Sequence, residues 1–154
     1  MDTPELRGVR ILADLNNAQL HALLRYGSIA EFSPGQIICR QGETSESLFL
    51  VLEGKVGVYV SEAHGNEIHL RTIESGGHFG EIGVLEGGNR TATVKALSQC
   101  KLFRFDAKAF QDLLKAPELA APFLHGLSRS LAIRLTDLTN RVGALWSLKD
   151  FWTI

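Results

Sequence analysis

Between Pro34 and Phe105 the chain repeats one device: a short apolar or alternating run, a glycine or turn, then another run. Ser47 to Leu52 and Lys55 to Ser61 read as strands parted by Gly54. In the second, Val56, Val58 and Val60 fall on one face and Gly57 and Tyr59 on the other. Ala63-His64-Gly65-Asn66 makes a hairpin tip before a strand over Ile68 to Ile73. Thr91 to Leu97 and Lys101 to Phe105 close the series. Short strands at even spacing predict a barrel or β-roll.

After Phe105 the apolar period lengthens. Asp106 caps a helix over Ala107 to Leu114, and Pro117 opens a second that runs to about Trp146. Along it Leu124, Leu127, Leu131, Leu135, Leu138, Val142 and Leu145 recur at spacings of three and four, one continuous stripe. Upstream, Asn16 or Asn17 caps a helix carrying Leu20, Leu23 and Leu24. The expected fold is α+β and a single domain over 1–154. An N-terminal helix (about 16–26) precedes a jelly-roll-like, double-stranded β-roll (about 28–105), and two C-terminal helices (about 107–146) follow.

Composition acts by exclusion. A chain of 154 residues is long enough to bury a core. Its formal net charge of −1 lacks the basic excess of a general nucleic-acid or membrane-surface binder. No run approaches the roughly 18 apolar residues of a membrane span, and Met1-Asp2-Thr3-Pro4-Glu5 does not begin like a signal peptide. Cytoplasm is therefore the expected location. Cys39 and Cys100 stand isolated in apparent strands, and two buried reduced thiols are expected rather than a disulfide.

The chemistry concentrates in Gly76-Gly77-His78-Phe79-Gly80-Glu81-Ile82-Gly83 and Gly88-Asn89-Arg90-Thr91-Ala92-Thr93. Arg90 offers a planar fork of donors that stays charged and suits phosphate geometry. Gly80 and Gly83 let backbone approach a ligand closely. Glu81 to Glu86 can form a short helical turn whose first N–H groups are free. Glu81 would repel a phosphate, but its acceptor-only carboxylate suits a sugar hydroxyl such as a ribose 2′-OH. Acid for sugar and base for phosphate is a coherent division.

Phe79-Gly80-Glu81 and Arg90-Thr91-Ala92, at that spacing, resemble the phosphate-binding cassette of the cyclic-nucleotide-binding domain family. Pro34-Gly35-Gln36-Ile37-Ile38, Gln41-Gly42-Glu43 and Leu50-Val51-Leu52-Glu53-Gly54-Lys55-Val56 fit the same pattern, and the likeness runs from about Leu15 to about Leu138. The resemblance implies a ligand-gated sensor rather than an enzyme, with no cofactor and no metal. Phe79, Gly80, Glu81, Ile82, Gly83, Arg90, Thr91 and Ala92 would form the binding site. Glu81 would hold the ribose 2′-hydroxyl, Arg90 the cyclic phosphate, and the amides of Gly83 and Thr91 would complete the phosphate shell. Val60 and Ile73 are candidates for the apolar wall behind the purine, barrel core being the alternative. Thr91 leaves the base open; cyclic AMP is the first expectation and cyclic GMP the second. Two departures stand out: Gly83 replaces a residue with a small side chain, and Thr44-Ser45-Glu46-Ser47 replaces an acidic turn expected to lie away from the ligand.

Several bland readings compete. His78 reads as an exposed loop histidine, since the five histidines are scattered. A metal-dependent enzyme of cupin type would need His64, His69 and His78 to converge. A degenerate domain would keep the fold and lose the ligand. Trp146 and Trp152 read as tail packing rather than base stacking, and Arg129, Arg134 and Arg141 as solvated. The stretch Leu135, Leu138, Val142, Leu145 approximates a heptad seam and could pair two copies of the chain. An effector protein is expected as partner, its identity open, and DNA binding by this chain alone is not expected.

Overall fold

The computed structural model describes residues 3–44 and 47–153, with backbone alone for residues 3, 4 and 149–153. The chain opens on α1 (Thr3–Arg7), a 3-10 turn over Arg10–Leu12, α2 (Asn17–Leu23) and a second 3-10 turn over Leu24–Tyr26. The expected helix at 16–26 is therefore an α-helix that tightens into 3-10 geometry, and α1, too short to show a period, precedes it. Asn16 is the cap. Its side chain accepts from Gln19 N at 2.9 Å, while Gln19 Oε1 accepts from Asn16 N at 2.8 Å, a reciprocal capping box. Leu20 and Leu23 are buried as expected.

Eight strands follow: β1 (Ser28–Phe32), β2 (Ile37–Cys39), β3 (Leu48–Glu53), β4 (Lys55–Ser61), β5 (Glu67–Glu74), β6 (His78–Phe79), β7 (Thr93–Ala96) and β8 (Cys100–Phe105). They form two four-stranded antiparallel sheets, ordered β1-β8-β3-β6 and β2-β7-β4-β5. This is the β-roll of an α+β fold. The run Leu48-Phe49-Leu50-Val51 is apolar without alternation because both of its faces are covered. Leu48 and Leu50 face the helices with Phe103, Phe105, Phe110 and Phe123. Phe49 and Val51 face the roll interior with Val56, Val58, Phe79, Val94 and Leu102.

One register detail concerns β5. Val58 pairs with Arg71 and Tyr59 with His69, so Leu70 is the extra residue of a bulge on β5, while β4 runs against β7 without a shift. On β4 Val56 and Val58 are buried, whereas Val60, toward the hairpin end, is only half-buried.

Asp106 caps α4 (Ala107–Leu114), accepting from Ala109 N at 2.8 Å. Pro117 starts α5, which runs to Thr153, longer than expected. Gly126 lets α5 touch the first 3-10 turn, since a Cβ there would collide with the Ile11 carbonyl. Asp14 ties the same helix down, with His125 Nδ1 at 2.8 Å and Arg129 Nη2 at 3.4 Å. The apolar stripe is covered only through Leu131. Leu135 (65 % exposed), Leu138, Val142 and Leu145 face solvent, and Trp146 is exposed rather than packed on the roll. The Trp152 side chain lies outside the described residues. Cys39 and Cys100 are buried free thiols. Among the described residues no helix is long and apolar enough to cross a membrane.

Candidate functional site

β6 and α3 (Glu81–Glu86) turn the chain through Gly80, whose φ of 93° favours glycine. Space demands glycine here as much as angle does. A Cβ on Gly80 would collide with the Ser47 carbonyl and meet Arg90 Nη1 at 2.6 Å. The bare backbone thus makes room for the Arg90 guanidinium, which donates from Nη2 to Ser47 O at 2.7 Å. The turn before β3 also holds the Arg90 backbone. Arg90 N donates to Glu43 O at 2.7 Å, Gly42 N to Arg90 O at 2.8 Å, and Thr44 Oγ1 to Asn89 Oδ1 at 3.3 Å.

Those contacts correct one expectation. The Thr44–Ser47 turn was expected away from the ligand loop, yet Thr44 and Ser47 grip Asn89 and Arg90 directly, because the isolated bridge between Thr44 and Asn89 folds one onto the other. Ser45 and Glu46 lie outside the described residues.

Phe79, Gly80, Glu81, Ile82, Gly83, Arg90, Thr91 and Ala92 all line one cavity of about 80 Å³. Glu81 and Arg90 are buried, at 2 % and 8 % exposure, not the surface pair of an ordinary hairpin. The cavity also takes Val58, Arg71, Asn89 and Arg134, which the sequence reading did not place there. Val60 and Ile73, the candidates for a base wall, do not line it. Val60 lies toward the hairpin end of β4, paired with Ile68, and Ile73 is roll core, paired with Val56. Parity could have found Arg71: it lies two residues before buried Ile73, and side chains two apart on a strand share a face.

Arg134 is the larger surprise. Expected to be solvated, it reaches from α5 to Glu81, Nη1 on Oε1, with its own side chain 35 % exposed. Arg129 and Arg141 instead pair with Asp14 and Asp137. A broader cavity of about 680 Å³ continues from Arg71 and Arg134 beneath α5, walled by Leu70, Ile133 and Leu138. Charged side chains, among them Arg10, Arg129, Asp137 and Arg141, share the broader cavity with those apolar ones.

His78 is a second correction. It is 5 % exposed on β6, its Nε2 3.9 Å from Glu81 Oε2. Burial pushes its pKa down to about 4 against the pull of Glu81, with Arg134, Arg71 and Arg10 adding to the depression. The imidazole is therefore neutral near pH 7. Burial also raises the Cys39 thiol, against the pull of Arg90. His64 and His69 stand on the β4–β5 hairpin, away from His78, and His69 stacks on Tyr59. Among the described residues no group of three or more His, Cys, Asp and Glu is placed to hold a metal.

Known proteins resemble the chain over most of its length. The family model described as "Cyclic nucleotide-binding domain" matches residues 29–116. The cAMP-activated global transcriptional regulator CRP of Pasteurella multocida is 31 % identical over 128 residues, 82 % of this chain and 59 % of that protein. The cAMP-dependent protein kinase regulatory subunit of Blastocladiella emersonii is 28 % identical over 109 residues, 71 % of this chain and 27 % of that protein. The chain thus spans only part of the length of these curated relatives. The Thermus thermophilus catabolite activator protein superposes with a TM-score of 0.79 at 26 % identity, covering 88 % of this chain and 62 % of that one. With the family model covering more than half of its length, the chain belongs to the cyclic nucleotide-binding domain family.

Proposed function

We propose that the chain is a cytoplasmic regulatory sensor, not an enzyme, that binds a cyclic nucleoside monophosphate, cyclic AMP before cyclic GMP. The observation that carries this is the burial of Arg90 and Glu81 on one cavity whose backbone is cleared by Gly80. Arg90 would take the cyclic phosphate, with the amides of Gly83 and Thr91 beside it, and Glu81 the ribose 2′-hydroxyl. The base would lie under α5 in the cavity of Leu70, Ile133 and Leu138. The relatives named for cAMP support the preference for adenine.

The response would run through α5. Arg134 joins this helix to the carboxylate assigned to the sugar, so filling the site re-docks α5 over the base and shifts a two-state population. The exposed seam Leu135, Leu138, Val142 and Leu145 fits a second copy of the chain, its spacing of three and four being that of a coiled-coil interface. Transmission to an effector protein would follow from that movement. Calorimetric titration with cyclic AMP and cyclic GMP tests the reading. Wild type should bind one or both saturably, and Arg90→Ala should weaken binding by about 100-fold or more with its fold intact. Unchanged affinity in Arg90→Ala would remove the assignment.

A further inference from the structure

On the far side of Arg71 and Arg134, bounded by β5, the Arg10–Leu12 turn and α5, lies another cavity, of about 370 Å³. Arg10, Arg71, Arg134, His78 and Ser130 line it, and Glu74 is the acid on its wall. Three guanidiniums meet there with little countercharge. Glu74 pairs with Lys55 at 3.6 Å, and Glu81 engages Arg134 from the cassette side. The Arg10 and Arg71 side chains make no hydrogen bond or ion pair with any described residue. Arg10 is held by its backbone, N donating to Gly76 O at 3.0 Å, and its guanidinium lies over two glycines, where a Cβ on Gly77 would meet Nη2 at 3.3 Å.

His78 supplies an independent observation. It lines this cavity and is 5 % exposed, yet its Nε2 has no hydrogen-bond partner among the described residues. A buried polar atom left unsatisfied is costly, and a bound ion or water is the ordinary remedy. The space is large enough for a small ligand rather than a single water.

We propose that this cavity is a second anion site, adjoining the cassette, that takes a compact polyvalent anion bearing phosphate or carboxylate groups on Arg10, Arg71 and Arg134. Arg71 and Arg134 wall the cassette cavity as well, whereas Arg90 lines only the cassette, so mutation of Arg90 distinguishes the two sites. Titration calorimetry of the wild-type chain with inorganic pyrophosphate, and in a parallel arm with citrate, both at fixed ionic strength, tests it. Saturable binding of at least one is expected, and the tighter arm assigns phosphate or carboxylate. Arg10→Ala should weaken that binding about tenfold or more, as loss of a charge-assisted donor does. Ser130→Asp, which adds a carboxylate to the same wall, should abolish it should Arg10→Ala fail to fold. Arg90→Ala should leave it within about twofold, since the Arg90 side chain does not line this cavity. No saturable binding by either anion overturns the proposal. So does binding unchanged in both Arg10→Ala and Ser130→Asp, or binding lost in Arg90→Ala.

Discussion

The cassette and the outer half of α5 are built in opposite ways. In the cassette Arg90 and Glu81 are buried and oriented, Arg90 by Ser47, Glu43 and Gly42, and Glu81 by Arg134. From Leu135 onward α5 keeps its apolar spacing, and among the described residues none of its large side chains is buried. If the cavity binds as proposed, side chains already held in place would limit the ordering cost of binding. The outer part of α5 presents Leu135, Leu138, Val142 and Leu145 to solvent instead. Arg134 is the seam between these regimes, on the open helix but fastened to the closed site.

The largest effect expected of a mutation confined to the cassette is that of Gly80→Ala. A left-handed φ and a collision with the Ser47 carbonyl should together cost at least about 2 kcal/mol and displace Arg90. Chemical denaturation should show the stability loss, and calorimetry the loss of nucleotide binding. Equal stability to wild type would mean the cassette is not preformed.

Arg134→Ala attacks the seam. It leaves the buried Glu81 carboxylate without its cation, and since Arg134 is a third exposed the cost should be about 1–3 kcal/mol. The mutation should also uncouple α5 from the ligand. Hydrogen exchange of residues 135–148 should then no longer change when nucleotide is added; a response as large as wild type's would show that the signal bypasses Arg134.

On the open side, Leu138→Asp should shift sedimentation from dimer to monomer while leaving thermal stability within about 0.5 kcal/mol, as befits an exposed position. A wild-type chain that sediments as monomer at every concentration would exclude the seam as a self-interface.

A further expected effect is on pH. His78 is held neutral in the fold, with a pKa near 4 against an ordinary 6.5. Between those values the unfolded chain binds more protons than the folded one, so stability is full above about pH 6.5 and falls as pH drops toward 4. His78→Phe should flatten that slope. A slope unchanged by the substitution would place the acid sensitivity elsewhere.

Much of this was legible in the residues. Glycine punctuation and strand periods pointed to the β-roll, Asn16 and Asp106 to their caps, and the spacing of Glu81 and Arg90 to the cavity that holds both. What stayed hidden is non-local. No period in α5 announces that Arg134 spans 53 positions to Glu81, or that Ser47 accepts from Arg90 across 43. The β5 bulge at Leu70 has no residue signature, since neither Leu70 nor its neighbours His69 and Arg71 are glycine or proline. His78 looked exposed because its two-residue strand is too short to show alternation. Burial in the sequence was readable where it repeats, and unreadable where one contact decides it.

As proposed, Arg90 would hold a cyclic phosphate and Glu81 the sugar attached to it. A crystal structure of the chain with cyclic AMP tests this most directly. The account predicts phosphate oxygens within hydrogen-bond distance of Arg90, the ribose 2′-hydroxyl on Glu81, and the base against Leu70 and Leu138 beneath α5. Nucleotide bound with its phosphate away from Arg90, or with its ribose away from Glu81, would contradict it.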